Sequence, residues 1–341
     1  MRTRRIILTA VTLFLAVVGL APIVVMIARS LMVDGGFSLE YYEKLLATER
    51  SWRLLGNSLA LALLTALLST LVGLPLGLLL GKTDLPFRRV YIILFALPLV
   101  IPPYITAVSW ANVLGPRGFA AGLWGEPTAQ VMARLLFGLP GCVLVLVSTF
   151  MPAVLLATLS FMRTVNPRLE EAARLSARPR RVLWGITIPL IRPGILLIAT
   201  LVFLLALGEF GVPTFLRYNV FAVESFAQFS AFYNFGAAAA AAVPLALLTF
   251  VVLGIEWFVL REKTQALRPT PESGGTVAVE LGRHRVWLFA LVGVLGALLV
   301  VAPLLSLLLQ AGSPGAYLRP STSSGIVCST ACFSPPSAQR G

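Results

Sequence analysis

The chain has 341 residues, of which 58% are hydrophobic and 12% charged, with a net charge of +13 and a mean hydropathy of +0.90. A water-soluble domain carries about 25% charged residues. Half that fraction, spread around long uncharged runs, excludes a water-facing surface and defines a polytopic, all-α membrane protein. The basic excess sits between the apolar runs, so it calls for no nucleic-acid partner.

In chain order, apolar runs fall at 6–28, 54–81, 88–113, 139–161, 194–216, 237–260 and 286–310. Each is long enough, at about 20 residues or more, to cross about 30 Å of lipid as a helix. The first run follows Arg2, Arg4 and Arg5. It exceeds the about 7–15 residues of a signal-peptide core and no small-x-small site follows it, so it reads as an uncleaved helix. With the N-terminus in the cytoplasm, 18 of the 27 lysines and arginines lie in inside segments and seven in outside ones. That bias sets the orientation.

The second run ends in Gly77–Thr83, GLLLGKT. A phosphate-binding loop has four residues between its glycines and follows a strand, whereas this stretch has three and closes a membrane helix. No ATP site is expected. Gly81 suits a helix C-terminus and Lys82 the inner interface. In the third run, Pro98, Pro102 and Pro103 remove amide donors and interrupt the helix. Breaks at membrane depth persist where protein or a water-filled cavity covers them, and transporters put substrate paths there. Pro102, Pro103 and Tyr104 are therefore candidate pathway residues, together with Asn57 of the second run. A plain packing kink is the alternative.

Cys142 lies in a span and Cys328 and Cys332 in the tail, which supports neither a disulfide framework nor a zinc site. His284 is the sole histidine. No nucleophile–base constellation or acid pair stands within the spans, so no catalytic residue, metal site or bound cofactor is expected.

The most charged internal segment is 163–193, which contains "LEEAARLSARPRRVLWGITIPL". Asn166 suits an N-cap, Pro167 the first helical position, and Glu170 and Glu171 the positive end of the helix dipole. The pattern predicts a short helix over 167–176, cut before Pro179, and a second amphipathic piece over 180–188 ending at Pro189. Ala172 and Ala173 give the first helix a small face that fits a groove on a soluble partner. An interfacial helix on anionic lipid is the other reading. Glu209 falls about two-thirds of the way along the fifth run, where an ionisable side chain is a functional candidate, and it joins the candidate pathway residues. Its alternative is a carboxylate paired near the outer interface.

Residues 261–285 read as a cytoplasmic linker. The chain then repeats its opening: a basic lead, an uncharged run and an Ala-Pro in the second half (Ala21-Pro22, Ala302-Pro303). Residues 1–260 thus read as a first half and 286–310 as the first helix of a second. Residues 311–341 have no span and no periodicity; they read as disordered, or as translation after a frame slip near Leu318.

Glu171-Ala172-Ala173 followed by Ile186-Thr187-Ile188-Pro189 resembles the EAA loop of bacterial ABC-transporter permeases of the binding-protein-dependent import class, and 52–77 resembles the core of those permeases. The likeness covers about 50–260. It implies a six-helix importer half in the bacterial inner membrane, whose loop 163–193 is the coupling helix. Glu170, Glu171, Ala172, Ala173, Ala177, Ile186 and Pro189 would face the ATPase. Implied partners are two cytoplasmic ATPase subunits that carry ATP-Mg, a periplasmic binding protein, and a second permease half in cis or in trans. Two departures stand out. Ala177 occupies the family's glycine position, and eight residues rather than nine precede Ile186. If that position requires positive φ, alanine costs about 1 kcal/mol, and a one-residue deletion would turn a continuous joint by about 100°. The stretches 97–118, 207–216 and 235–248 resemble the fused two-half permeases, which implies a ferric-iron cargo, with thiamine, polyamine or phosphonate as alternatives. A truncated permease that no longer transports is a further reading.

Overall fold

The computed structural model describes residues 2–33, 36–116, 118–261 and 281–310. The chain folds as antiparallel membrane helices with shorter helices at both ends. Helix α1 (Arg2–Ser30) leads through a two-residue ribbon, β1 (Met32–Val33) against β2 (Gly36–Phe37), and α2 (Glu40–Ala47) into α3 (Glu49–Lys82). At 34 residues, α3 is about 51 Å long and overshoots the hydrocarbon layer.

Helices α4 (Arg88–Val100) and α5 (Pro103–Leu114) correct the third predicted span: they meet at 106° rather than forming one rod. Pro102 and Pro103 offer no amide, and a residue before proline is pushed out of the helical region. Accordingly Ile101 (φ −93°, ψ 129°) and Pro102 (φ −53°, ψ 136°) are extended. Helices α6 (Phe119–Trp124) and α7 (Glu126–Leu136) then lead to α8 (Leu139–Met162), the most enclosed span.

The α3–α8 contact organises the core. A side chain at Gly73 would sit 2.9 Å from the Met151 carbonyl oxygen, and one at Gly77 would sit 2.7 Å from Thr158 Cβ. With Gly81 against Met162, three glycines four residues apart let the backbones approach, which is the usual device for helix association in lipid. Across the bundle, Trp110 Nε1 donates to Ser148 Oγ at 3.2 Å within this core.

Beyond α8 the chain forms α9 (Pro167–Arg174), α10 (Pro179–Val182), a π-turn (Leu183–Thr187) and α11 (Ile188–Leu207). The fifth predicted span, 194–216, is corrected at both ends. Its helix stops at Leu207, and α12 (Gly211–Phe215) is separate. Helix α13 (Phe221–Ser230) and α14 (Phe235–Leu260) follow, the latter capped by Asn234 Oδ1, which accepts from Ala237 N at 3.0 Å.

Residues 282–309 form the seventh span as a short 3-10 turn, α15 (Arg285–Gly296), a second π-turn (Ala297–Val301) and α16 (Ala302–Gln310). It lies along α4 and α5. Phe289 meets Tyr91 edge-on at 5.7 Å, and Ser306 Oγ donates to the Ser109 carbonyl at 3.1 Å. At its start, Asp84 accepts from Leu281 N at 3.0 Å. Most of the predicted linker and the whole of 311–341 lie outside the described residues.

Candidate functional site

The charged loop folds back onto the end of the bundle where α3 closes. Asn166 Oδ1 accepts from Arg168 N at 3.0 Å and Pro167 opens α9, as the capping pattern predicts. The two neighbouring acids then part company. Successive residues on a helix are about 100° apart, so Glu171 is exposed while Glu170, 2% exposed, points inward.

Inside, Glu170 Oε2 pairs with Lys82 Nζ at the end of α3. Its other oxygen accepts from Thr187 Oγ1 at 2.7 Å, and Lys82 and Thr187 are themselves buried. One carboxylate therefore joins α9, α3 and the π-turn before α11. Charge-assisted bonds of this kind are the strong ones, and burial leaves no water to replace a lost partner. Beside the triad, an apolar cluster of Met162, Val165, Ile191 and Ile195 fixes the loop between α8 and α11. A cavity of about 380 Å³ lies next to it, lined by Pro75, Leu78, Leu79, Val182, Leu183 and Trp184 among others.

The exposed side of α9 presents Glu171 and Ala172 with two apolar side chains, Leu169 and, just past the helix end, Leu175 (90% exposed). An apolar centre with a charged rim is the anatomy of a protein-binding patch. Ile186 is half-buried and Pro189 exposed.

One condition raised for this loop is not met, and one expectation is corrected. Ala177 is not among the residues with positive φ, so the position demands no glycine here, and its amide bonds the Ala173 carbonyl at 2.9 Å. The second piece does not end at Pro189 but runs straight into α11. Proline clashes with the carbonyl four residues back, and the π-turn relieves this, with Ile188 N–H reaching back five residues to the Leu183 carbonyl. Because α9 and α10 are separated by a turn, a missing residue between them does not rotate either piece as a continuous helix would.

At the opposite end, the two broken helices meet. A side chain on Gly211 would lie 3.3 Å from Tyr104 Cβ and 3.0 Å from Glu209 Oε1, so Tyr104, just past Pro102 and Pro103, stands beside Glu209. Glu209 is not within a helix, as the fifth-span reading had it. It follows the end of α11, and its Oε1 accepts from Gly211 N (2.8 Å) and Val212 N (3.2 Å) at the start of α12. Asn57 is placed apart from this group: its Nδ2 donates to the Asn219 carbonyl at 2.9 Å and ties α3 to the segment before α13. Next to it, Ser58 Oγ accepts from Phe221 N at 2.9 Å.

Sequence reasoning missed the pairing of Lys82, read as a simple interface residue, with Glu170. Its only sign in the sequence is a lysine closing an apolar helix and a second acid beside Glu171. It also missed the glycine ladder, visible as Gly73, Gly77 and Gly81.

Helices broken on one side of the bundle and a tethered, partly apolar loop on the other define a membrane transport component. The family model described as "Binding-protein-dependent transport system inner membrane component" matches residues 70–261, and the chain belongs to that family. It is 33% identical over 165 residues to a probable molybdenum ABC transporter permease protein of Haloferax volcanii, covering 48% of this chain and 58% of that protein. It is 28% identical over 202 residues to the sulfate transport system permease protein CysW of Synechocystis, covering 58% and 72%. With the molybdenum transport system permease protein ModB of Escherichia coli it shares 30% over 168 residues, covering 49% and 72%. The match to the Haloferax protein thus spans little more than half of that relative's length.

Two solved structures share the fold. A bacterial ABC transporter that imports alginate aligns with a TM-score of 0.56 at 16% identity, over 77% of this chain and 95% of that one. The MetNI methionine ABC transporter aligns at 0.52 and 20% identity, over 64% and 99%.

Proposed function

We propose that the chain is a transmembrane subunit of an ATP-driven, binding-protein-dependent importer, set in the inner membrane with its N-terminus in the cytoplasm. The observation that carries this reading is the loop itself: α9 turns an exposed face of Glu171, Ala172, Leu169 and Leu175 outward while Glu170 ties it to α3 and α11. That is the arrangement needed to receive a push from a soluble subunit. Two ATPase subunits would bind and hydrolyse ATP-Mg; in this chain Gly77–Lys82 is the last part of α3, with Thr83 as its C-cap. A periplasmic binding protein would deliver cargo, and a second permease half would complete the path.

For the cargo, an inorganic oxyanion is favoured over ferric iron, thiamine, a polyamine or a phosphonate. The relatives carry names for molybdenum and sulfate transport. A trivalent iron cargo calls for a hard oxygen ligand on its path, and the carboxylate of Glu209 is already bonded to two backbone amides through Oε1. The test is uptake into cells that express the chain with its neighbouring transport genes, using radiolabelled sulfate, molybdate and ferric iron in parallel. ATP-dependent accumulation of an oxyanion is the expected result. Accumulation of iron alone would overturn the cargo reading, and accumulation of nothing, with thiamine, a polyamine and a phosphonate also supplied, would overturn import.

A further inference from the structure

Docking on an ATPase needs the exposed side of α9, yet the most constrained residues of the loop lie on the other side. Lys82 and Glu170 are 88 positions apart in sequence and meet in a desolvated pair, with Thr187 on the second carboxylate oxygen. We propose that Lys82, Glu170 and Thr187 form a positioning latch that makes α9, the inner end of α3 and the start of α11 move as one body. The proposal rests on the reading that α9 docks on an ATPase.

The surroundings of the latch supply what such a device requires. Each membrane helix it grips has a weak point close by. In α3, Pro75 has no amide to give the Leu71 carbonyl, and it lies about 10 Å along the axis from Lys82. In α11 the weak point is the π-turn itself, a common form of helix irregularity at functional sites. Between the two lies the apolar cavity of about 380 Å³, with Pro75 and Leu183 both in its wall. A close-packed interior resists displacement; here the gripped segment has room to shift. The latch joins the buried carboxylate of α9 to α3 and to the π-turn, so a push on α9 is carried to Pro75 and the π-turn.

The test uses the full chain assembled with its ATPase subunits and reads two quantities: capture of the ATPase, and the ratio of cargo-stimulated to unstimulated ATP hydrolysis. A single change such as Glu170→Gln leaves a buried ammonium unpaired and disturbs folding, so the variants are made in pairs. Lys82→Met with Glu170→Gln removes both charges at similar volume. Lys82→Glu with Glu170→Lys restores a pair of opposite sense, and the Thr187 hydroxyl accepts from an ammonium as readily as it donates to a carboxylate. The expected result is that the neutral pair still captures the ATPase but its stimulation ratio falls about tenfold, the size of an ordinary coupling energy, and that the reversed pair recovers most of it. A neutral pair that couples like the unaltered chain overturns the latch. So does a reversed pair that captures the ATPase but couples no better than the neutral one. Failure of the unaltered chain to capture any ATPase would instead overturn the importer reading.

Discussion

The α3–α8 crossing makes opposite predictions for one substitution at two places on the same helix. A methyl group added at Gly77 would sit 2.7 Å from Thr158 Cβ and 3.0 Å from the Leu155 carbonyl oxygen. Backbone on the facing helix cannot swing aside, so α3 and α8 must separate. Overpacking of this kind costs about 1–3 kcal/mol, against which alanine returns about 0.5–1 kcal/mol in helix propensity over glycine. Gly77→Ala should therefore lose up to about 2.5 kcal/mol. At Gly56, also inside α3, no described residue comes within 4 Å of the added carbon, and Gly56→Ala should gain about 0.5–1 kcal/mol. Denaturant unfolding of the purified chain in one detergent, followed by tryptophan fluorescence, measures both variants against the same baseline. Equal stabilities for the two variants, or a more stable Gly77→Ala, would refute the close-packed crossing.

Three further outcomes follow from single side chains. Asn166→Ala removes the cap on α9 and should weaken that helix by about 1 kcal/mol, seen as faster amide exchange at 168–170 with the spans unchanged. Glu209→Gln keeps an acceptor for Gly211 and Val212 but not its charge, so stability should fall by about 1 kcal/mol while oxyanion uptake persists; abolished uptake in a chain of normal stability would return Glu209 to the pathway. Glu171→Arg, on the exposed side of α9, should lower cargo-stimulated ATP hydrolysis without affecting membrane insertion, and undiminished stimulation would remove Glu171 from the docking face.

Local chemistry was the most legible part of this chain. Uncharged runs above bilayer length marked the spans, and Asn166-Pro167 marked the start of α9, because each depends on neighbours in sequence. The breaks were harder to read. Pro102 and Pro103 announced an interruption, but the 106° turn depends on what α5 finds to pack against, chiefly α16, α12 and α8. The end of α11 at Leu207 was hidden because the residues after it remain apolar: hydropathy measures burial in lipid and does not register where a helix stops. Within the loop, composition could not say which of Glu170 and Glu171 faces inward. That choice is made by Lys82 and Thr187, one far away in sequence and one positioned by a π-turn. The family glycine raised the question whether position 177 needs positive φ; Ala177 has none, and its amide bonds the Ala173 carbonyl.

Coupling requires contact between the α9 face and an ATPase, and site-directed cross-linking reports that contact most directly. Leu175 is 90% exposed at the end of this face, so Leu175→Cys can carry a short photoactivated cross-linker in native membranes. The account predicts an adduct of this chain with an ATP-binding subunit, whose yield changes when a non-hydrolysable ATP analogue is added. If Leu175 yields no such adduct while a control cysteine at Tyr233, in the turn between α13 and α14, captures its own neighbours under the same conditions, the loop is not a docking site and the account is wrong.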